Sequence, residues 1–159
     1  MKDEVFKMNY EVVYLEEKIV AGVVARTSNN APDMGKIIGE AWQRFFQGGV
    51  YSVIPNKNNN NTIGLYTNYE DKVNGAYDIM VCCELSNLEN LPNEIQIKKI
   101  VEGKYAKFVV KGKTTEVVGR LWAEIWSMNL DRKYTFDFEE YIDDCETDEQ
   151  EIHIYIAIN

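Results

Sequence analysis

The chain has 159 residues, about one domain's worth, and its 26 acidic against 17 basic residues give a formal net charge of −9, which leaves no electrostatic footprint for DNA or RNA. A hydrophobic fraction of 45% excludes global disorder, no apolar run approaches the roughly 18 residues of a membrane helix, and Met1-Lys2-Asp3-Glu4 is too polar to open a secretory leader. A single histidine, His153, three cysteines (Cys82, Cys83 and Cys145) without C-x-x-C spacing, and no G-x-S-x-G elbow argue against a disulfide framework, a zinc cluster and a serine triad; they fit a cytoplasmic protein without metal or cofactor.

From the N-terminus, Tyr10 to Arg26 is rich in β-branched residues and predicts one long strand or a bent pair. Asn29 to Asp33 is a turn, with Asn30 or Asp33 placed to cap a helix. Ile37, Ile38, Ala41, Trp42 and Phe45 recur at helical spacing, so a helix runs from about Met34 to Phe46 and ends at Gly48-Gly49. Pro55 to Asn61 holds five asparagines and is a loop. Two strands follow, Ile63 to Tyr69 and Tyr77 to Leu85, joined around Asn74-Gly75. Glu84 to Asn93 reads as a linker.

Beyond the linker the pattern repeats. Ile95 to Val110 is extended and Gly112 turns the chain. Thr114 or Thr115 caps a helix striped by Val117, Val118, Leu121, Trp122, Ile125 and Trp126. The last strands are Phe136 to Ile142 and Ile152 to Ile158, and the acidic stretch from Asp143 to Glu151 between them is a solvated loop without calcium-loop spacing. The duplication is legible in the residues themselves. Lys18-Ile19-Val20-Ala21-Gly22-Val23-Val24-Ala25 matches Lys99-Ile100-Val101-Glu102-Gly103-Lys104-Tyr105-Ala106 at five of eight positions, and Ile38-Gly39-Glu40-Ala41-Trp42 parallels Val118-Gly119-Arg120-Leu121-Trp122. The chain is therefore one α+β domain over 1–159, made of strand–helix–strand–strand repeats at about 8–86 and 94–159. One antiparallel sheet carries the helices on one face and a ligand cleft between the repeats.

Strand alternation assigns the faces. Ile152, Ile154, Ile156 and Ile158 define a core side under the helices. Phe136, Phe138, Ile142, Ile63, Leu65, Thr67, Ile79, Val81 and Cys83 are read onto the same side. Tyr66, Met80, Glu139, Tyr141, His153 and Tyr155 then share the opposite face, an aromatic surface holding carboxylates. Such a surface suits a flat organic cation, through cation–π contacts of roughly 0.5–2 kcal/mol each. Glu139 would be the charge partner, with an elevated pKa when no cation is present. Tyr66, Trp122, Trp126, Tyr141 and Tyr155 would be stacking or wall residues and Met80 an adaptable filler. Each has a plainer role open to it: core packing for the tryptophans, cross-strand pairing for the tyrosines, gap filling for Met80. His153 is given no catalytic role.

The order of these motifs resembles the GyrI-like small-molecule-binding domains, also called AraC-type effector-binding domains. The likeness rests on Phe138-Glu139-x-Tyr141, on Glu151-Ile152-x-Ile154-Tyr155-Ile156, on Trp122-x-x-x-Trp126 and on Ile63-Gly64-Leu65-Tyr66. It implies a bacterial cytoplasmic domain that binds lipophilic, often cationic compounds, with Glu139 at the family's charge-partner position. Many members carry a DNA-binding region; here only about ten residues precede the first strand, so a stand-alone sensor or sequestering protein is expected. Two alternatives remain at this point. One is a hydrolase of electrophilic compounds using Glu139 as acid or base. The other is an inhibitor that meets a protein partner with its acidic face.

Overall fold

The computed structural model describes residues 9–72, 74–112, 114–143 and 150–159, with residues 114–117 described by their backbone. The elements in chain order are β1 (Glu11–Leu15), β2 (Lys18–Ser28), α1 (Met34–Phe46), α2 (Val50–Val53), β3 (Thr62–Thr67), β4 (Ala76–Leu85), β5 (Gln96–Ile100), β6 (Gly103–Gly112), α3 (Thr114–Ser127), β7 (Arg132–Ile142) and β8 (Gln150–Ile158). The apolar stripe sets α1 where the spacing predicts it, and Ala41 and Phe45 are its buried residues. Asp33 takes the N-cap position, but its side chain caps nothing. Gly49 turns the chain out of α1 with φ +84, a left-handed conformation that suits glycine. The single turn of α2 was not expected, because Tyr51, Ser52 and Val53 carry no strong helical signal. The acidic loop with Cys145, the side chain of Val117 and the capping of α3 lie outside the described residues.

Each extended run is two strands rather than one, and the members of each pair go to opposite edges. All eight strands form one sheet in the order β1-β6-β8-β7-β3-β4-β2-β5, antiparallel throughout. Exchanging each strand with its repeat counterpart reverses this order onto itself, so the duplication is a pseudo-two-fold whose axis passes between β3 and β7. β1 of the first repeat pairs with β6 of the second, and β5 of the second pairs with β2 of the first. Each repeat thus lends its first strand to the other.

The two long helices share one face of the sheet. Ala41 and Phe45 of α1 pack on Ala21, Val81 and Cys83. Leu121 and Ile125 of α3 pack on Ala106, Phe108, Ile152, Ile154 and Ile156. The central strands correct the face assignment. Gly64 lies between Val81 and Glu139 in the ladder, and Glu139 lies beside Ile154, so these four side positions share the helix face. Tyr66 and Tyr141 alternate in phase with them, so Tyr66, Glu139 and Tyr141 lie on the helix face of the sheet rather than on the opposite one. Ile63, Leu65 and Phe138 instead join Val20, Met80, Cys82, Ile100, Tyr105 and Tyr155 in a third core on the other face. Among the described residues no helix covers that face, and every buried member of this core comes from a strand. Alternation fixes which residues share a face. It does not mark which face carries the helices where the polar residues, here Asp137, Glu139 and Tyr141, are on the helix side and buried.

Candidate functional site

α1 packs on β2 and β4 and α3 on β6, so neither helix lies on the central pair β3–β7. The gap between them is a groove on the pseudo-two-fold axis, floored by Gly64, Tyr66, Glu139 and Tyr141. A tryptophan reaches into it from each side. Trp42 meets Tyr141 edge-on, with ring centroids 5.2 Å apart at 87°. Trp122 meets Tyr66 in the same way, at 5.4 Å and 73°. In both pairs the tryptophan comes from one repeat and the tyrosine from the other.

Glu139 stands where these pairs converge and is only 2% exposed. The Trp122 indole N–H donates to its Oε2 at 2.6 Å, and the Tyr141 hydroxyl donates to Oε1 at 2.7 Å. The Tyr66 hydroxyl is a third hydrogen-bonding partner. Burial pushes the Glu139 pKa above the usual carboxylate range, and the three donors oppose that push without cancelling it. The same burial, reinforced by the carboxylate's charge, drives the Tyr66 and Tyr141 hydroxyls far up and Tyr77 to about 12, so all three phenols stay protonated as donors.

Gly64 makes room for this carboxylate. A Cβ added there would lie 2.9 Å from Glu139 Oε1 and 3.4 Å from the Trp42 ring. Gly64→Ala is accordingly expected to lower stability by about 1–2 kcal/mol through overpacking, read from chemical denaturation midpoints.

Beside Glu139, on the Tyr66–Trp122 side, lies a cavity of about 180 Å³. Met34 and Ile38 of α1, Trp122 and Trp126 of α3, and Tyr66, Tyr69 and Tyr77 line it. Trp126 is half exposed at its mouth, at 53%. A second hollow of about 290 Å³ on the Tyr141 side is more polar, with Asn60, Thr62 and Gln150 among its walls. Of the candidate residues, the structure brings together Glu139, Tyr66, Tyr141 and Trp122, with Trp126 at the rim. Met80 and Tyr155 are buried in the core on the opposite face of the sheet. Trp42, Gly64, Tyr69, Tyr77 and Arg132 belong to the groove and were missed. The repeat alignment of Trp42 with Trp122 was the signal for the first of them. Among the described residues, no group of three or more His, Cys, Asp or Glu side chains is placed to hold a metal ion, and no helix is long and apolar enough to cross a membrane.

Comparison with known proteins agrees with this architecture. Residues 11–158 match the Cass2 family, described as integron-associated effector binding proteins. The chain is 29% identical over 154 residues to YobU of Bacillus subtilis (strain 168), a candidate transcriptional regulator by its name, with 92% of this chain and 96% of YobU covered. Among solved structures, an integron cassette protein from the mobile metagenome of Vibrio cholerae is similar at 28% identity and a TM-score of 0.75, covering 94% of this chain and 95% of that one. SAV2435, solved bound to tetraphenylphosphonium, shares the fold at 21% identity and a TM-score of 0.78, over 96% of this chain and 94% of that one.

Proposed function

This chain belongs to the family of integron-associated effector binding proteins, and we propose that it binds lipophilic, cationic aromatic molecules in the groove between its two repeats, with Glu139 as the charge partner. Small-molecule binding follows from the family; the cationic class and the site are this reading's own. The observation that carries it is the buried Glu139 carboxylate, held by neutral donors from Trp122, Tyr141 and Tyr66. A carboxylate kept this dry without a positive partner costs stability, and a cation would return that cost as affinity. The aromatic walls add cation–π and apolar contact. SAV2435, which shares the fold, takes up a cation of this kind.

The cavity of about 180 Å³ falls short of the roughly 300 Å³ at which drug-sized pockets begin. Entry then requires Trp122 to swing off Glu139, exchanging an indole N–H for the ligand's positive charge. In this reading the protein senses or sequesters such compounds. All three tryptophans of the chain, Trp42, Trp122 and Trp126, border the groove. Titration with tetraphenylphosphonium is expected to change the intrinsic fluorescence saturably. A flat titration, or heat-free mixing in a calorimeter at millimolar probe, would sink the proposal.

A further inference from the structure

One charged residue interrupts the aromatic walls of the cavity, and it is not Glu139, which stands behind Tyr66 and Trp122. Arg132 lines the cavity beside Tyr69. The Arg132 side chain is only 7% exposed, and its Nη2 donates to Asp137 Oδ2 at 2.8 Å. Its guanidinium carbon lies 4.3 Å from the centre of the Tyr134 ring. Asp137 is fully buried and fully occupied: Oδ2 also accepts from the Tyr69 hydroxyl at 2.5 Å, and Oδ1 accepts the backbone N–H of Ala157 at 3.1 Å. The Arg132 Nε–H, equally buried, has no hydrogen-bond acceptor. An unmade bond of this kind is costly inside a protein.

The backbone goes out of its way to produce this arrangement. Residues five apart in a regular strand face opposite sides. Here Arg132 pairs with Ile158 and Asp137 with Ile156, so five steps on β7 span two on β8. The bulge holds Tyr134 at φ +57, an unfavourable region for a tyrosine. It turns Arg132 to the side of Asp137 and into the cavity wall. Bulges re-aim side chains in this way beside binding sites.

We propose that Arg132 is a second recognition point: its Nε–H, closed off while the cavity is empty, turns to a neutral acceptor oxygen, a carbonyl or ether, of the ligand once entry has opened the groove, away from the cationic centre at Glu139. A neutral acceptor fits better than a carboxylate because Asp137 already balances the guanidinium charge. The ligand class narrows from a lipophilic cation to an aromatic cation bearing a distal carbonyl or ether. This deepens the reading of the groove as a binding site and rests on it.

The test uses two triarylphosphonium probes alike in size, one with a para-acetyl and one with a para-isopropyl group. On the wild-type protein the acetyl probe is expected to bind about tenfold tighter, the low end of the net worth of one hydrogen bond to a charged donor. In Arg132→Lys, which keeps a positive charge opposite Asp137 and loses the Nε–H, the ratio is expected to fall to about one. Equal affinities in the wild type, or a ratio that survives Arg132→Lys, overturns the proposal. Should that variant not fold, ¹H–¹⁵N spectra of the wild type decide instead: the Arg132 Nε–H signal must move with the acetyl probe and stay with the isopropyl probe. Failure of the Glu139 reading looks different, since both probes would then keep their affinity in Glu139→Gln with their ratio intact. Binding of neither probe overturns both.

Discussion

Glu139→Gln is expected to weaken binding of tetraphenylphosphonium by roughly 10- to 100-fold, or about 1.4–2.7 kcal/mol, as measured by calorimetry near neutral pH. The size follows from burial. At 2% exposure the carboxylate is not screened by water, and its loss removes the only acidic side chain among the residues that meet in the groove floor. Glutamine keeps the shape and can still accept from Trp122 or Tyr141, so the loss isolates the charge. A pH profile gives a second readout. Burial lifts the Glu139 pKa in the free protein, and a permanent cation binds the ionised form better. Wild-type affinity should therefore rise as pH climbs through the Glu139 titration and level off above it, with a proton released on binding. Glu139→Gln should show a flat profile. Stability carries the opposite slope. A carboxyl group with a raised folded-state pKa holds its proton longer when folded, so the folded state loses stability as pH rises from the unfolded value of about 4.3 to the folded one. The variant should lose that part of the decline, while Asp137, also raised by burial, keeps its own.

Phe138→Ala is expected to cost about 3–5 kcal/mol of stability, visible as a fall in the denaturation midpoint. Phe138 is next to Glu139 in sequence but on the other side of the sheet. Its ring is fully buried, stacked on Tyr155 at 4.6 Å and edge-on to Tyr105 at 5.9 Å. Such rings fill this core, and among the described residues no helix lies on that face to settle into the void. Had the face held only solvent, the same truncation would cost a few tenths of a kcal/mol. The two neighbouring substitutions should thus separate: Glu139→Gln weakens binding without lowering stability, and Phe138→Ala lowers stability.

The parts of the fold that sequence carries plainly are those governed by a local period. The stripe Ile37, Ile38, Ala41, Trp42 and Phe45 bounds α1 to the residue. The phase shared by Tyr66, Glu139 and Tyr141 was readable from alternation once the register was known. What was not readable depends on partners far along the chain. Glu16-Glu17 and Glu102-Gly103 mark the two breaks locally, but nothing near them tells that the neighbouring strands go to opposite edges of the sheet. The helix face was misassigned on β3 and β7 alone, because Tyr66, Asp137, Glu139 and Tyr141, the polar and aromatic residues of those strands, lie on the helix side; on β4 and β8 the assignment holds. Arg132 was invisible as a site residue because its spacing from Asp137 makes sense only through the bulge at Tyr134. Trp42 was accessible, since the repeat had already aligned it with Trp122, but the symmetry was not carried through to the site.

Gly64 and Glu139 face each other across the pseudo-two-fold axis. Two separate copies of either half, assembled about that axis, would set identical residues against one another there. A pair of glycines would supply no charge. A pair of glutamates at such a distance would repel, and one of them would hold its proton. Only a fused chain can differ on its two sides of the axis, with the carboxylate on one and the space for it on the other. The scaffold therefore offers two aromatic walls and a single negative charge, which on the reading proposed above sets a capacity of one cation per molecule, although nearly everything around that charge comes in pairs.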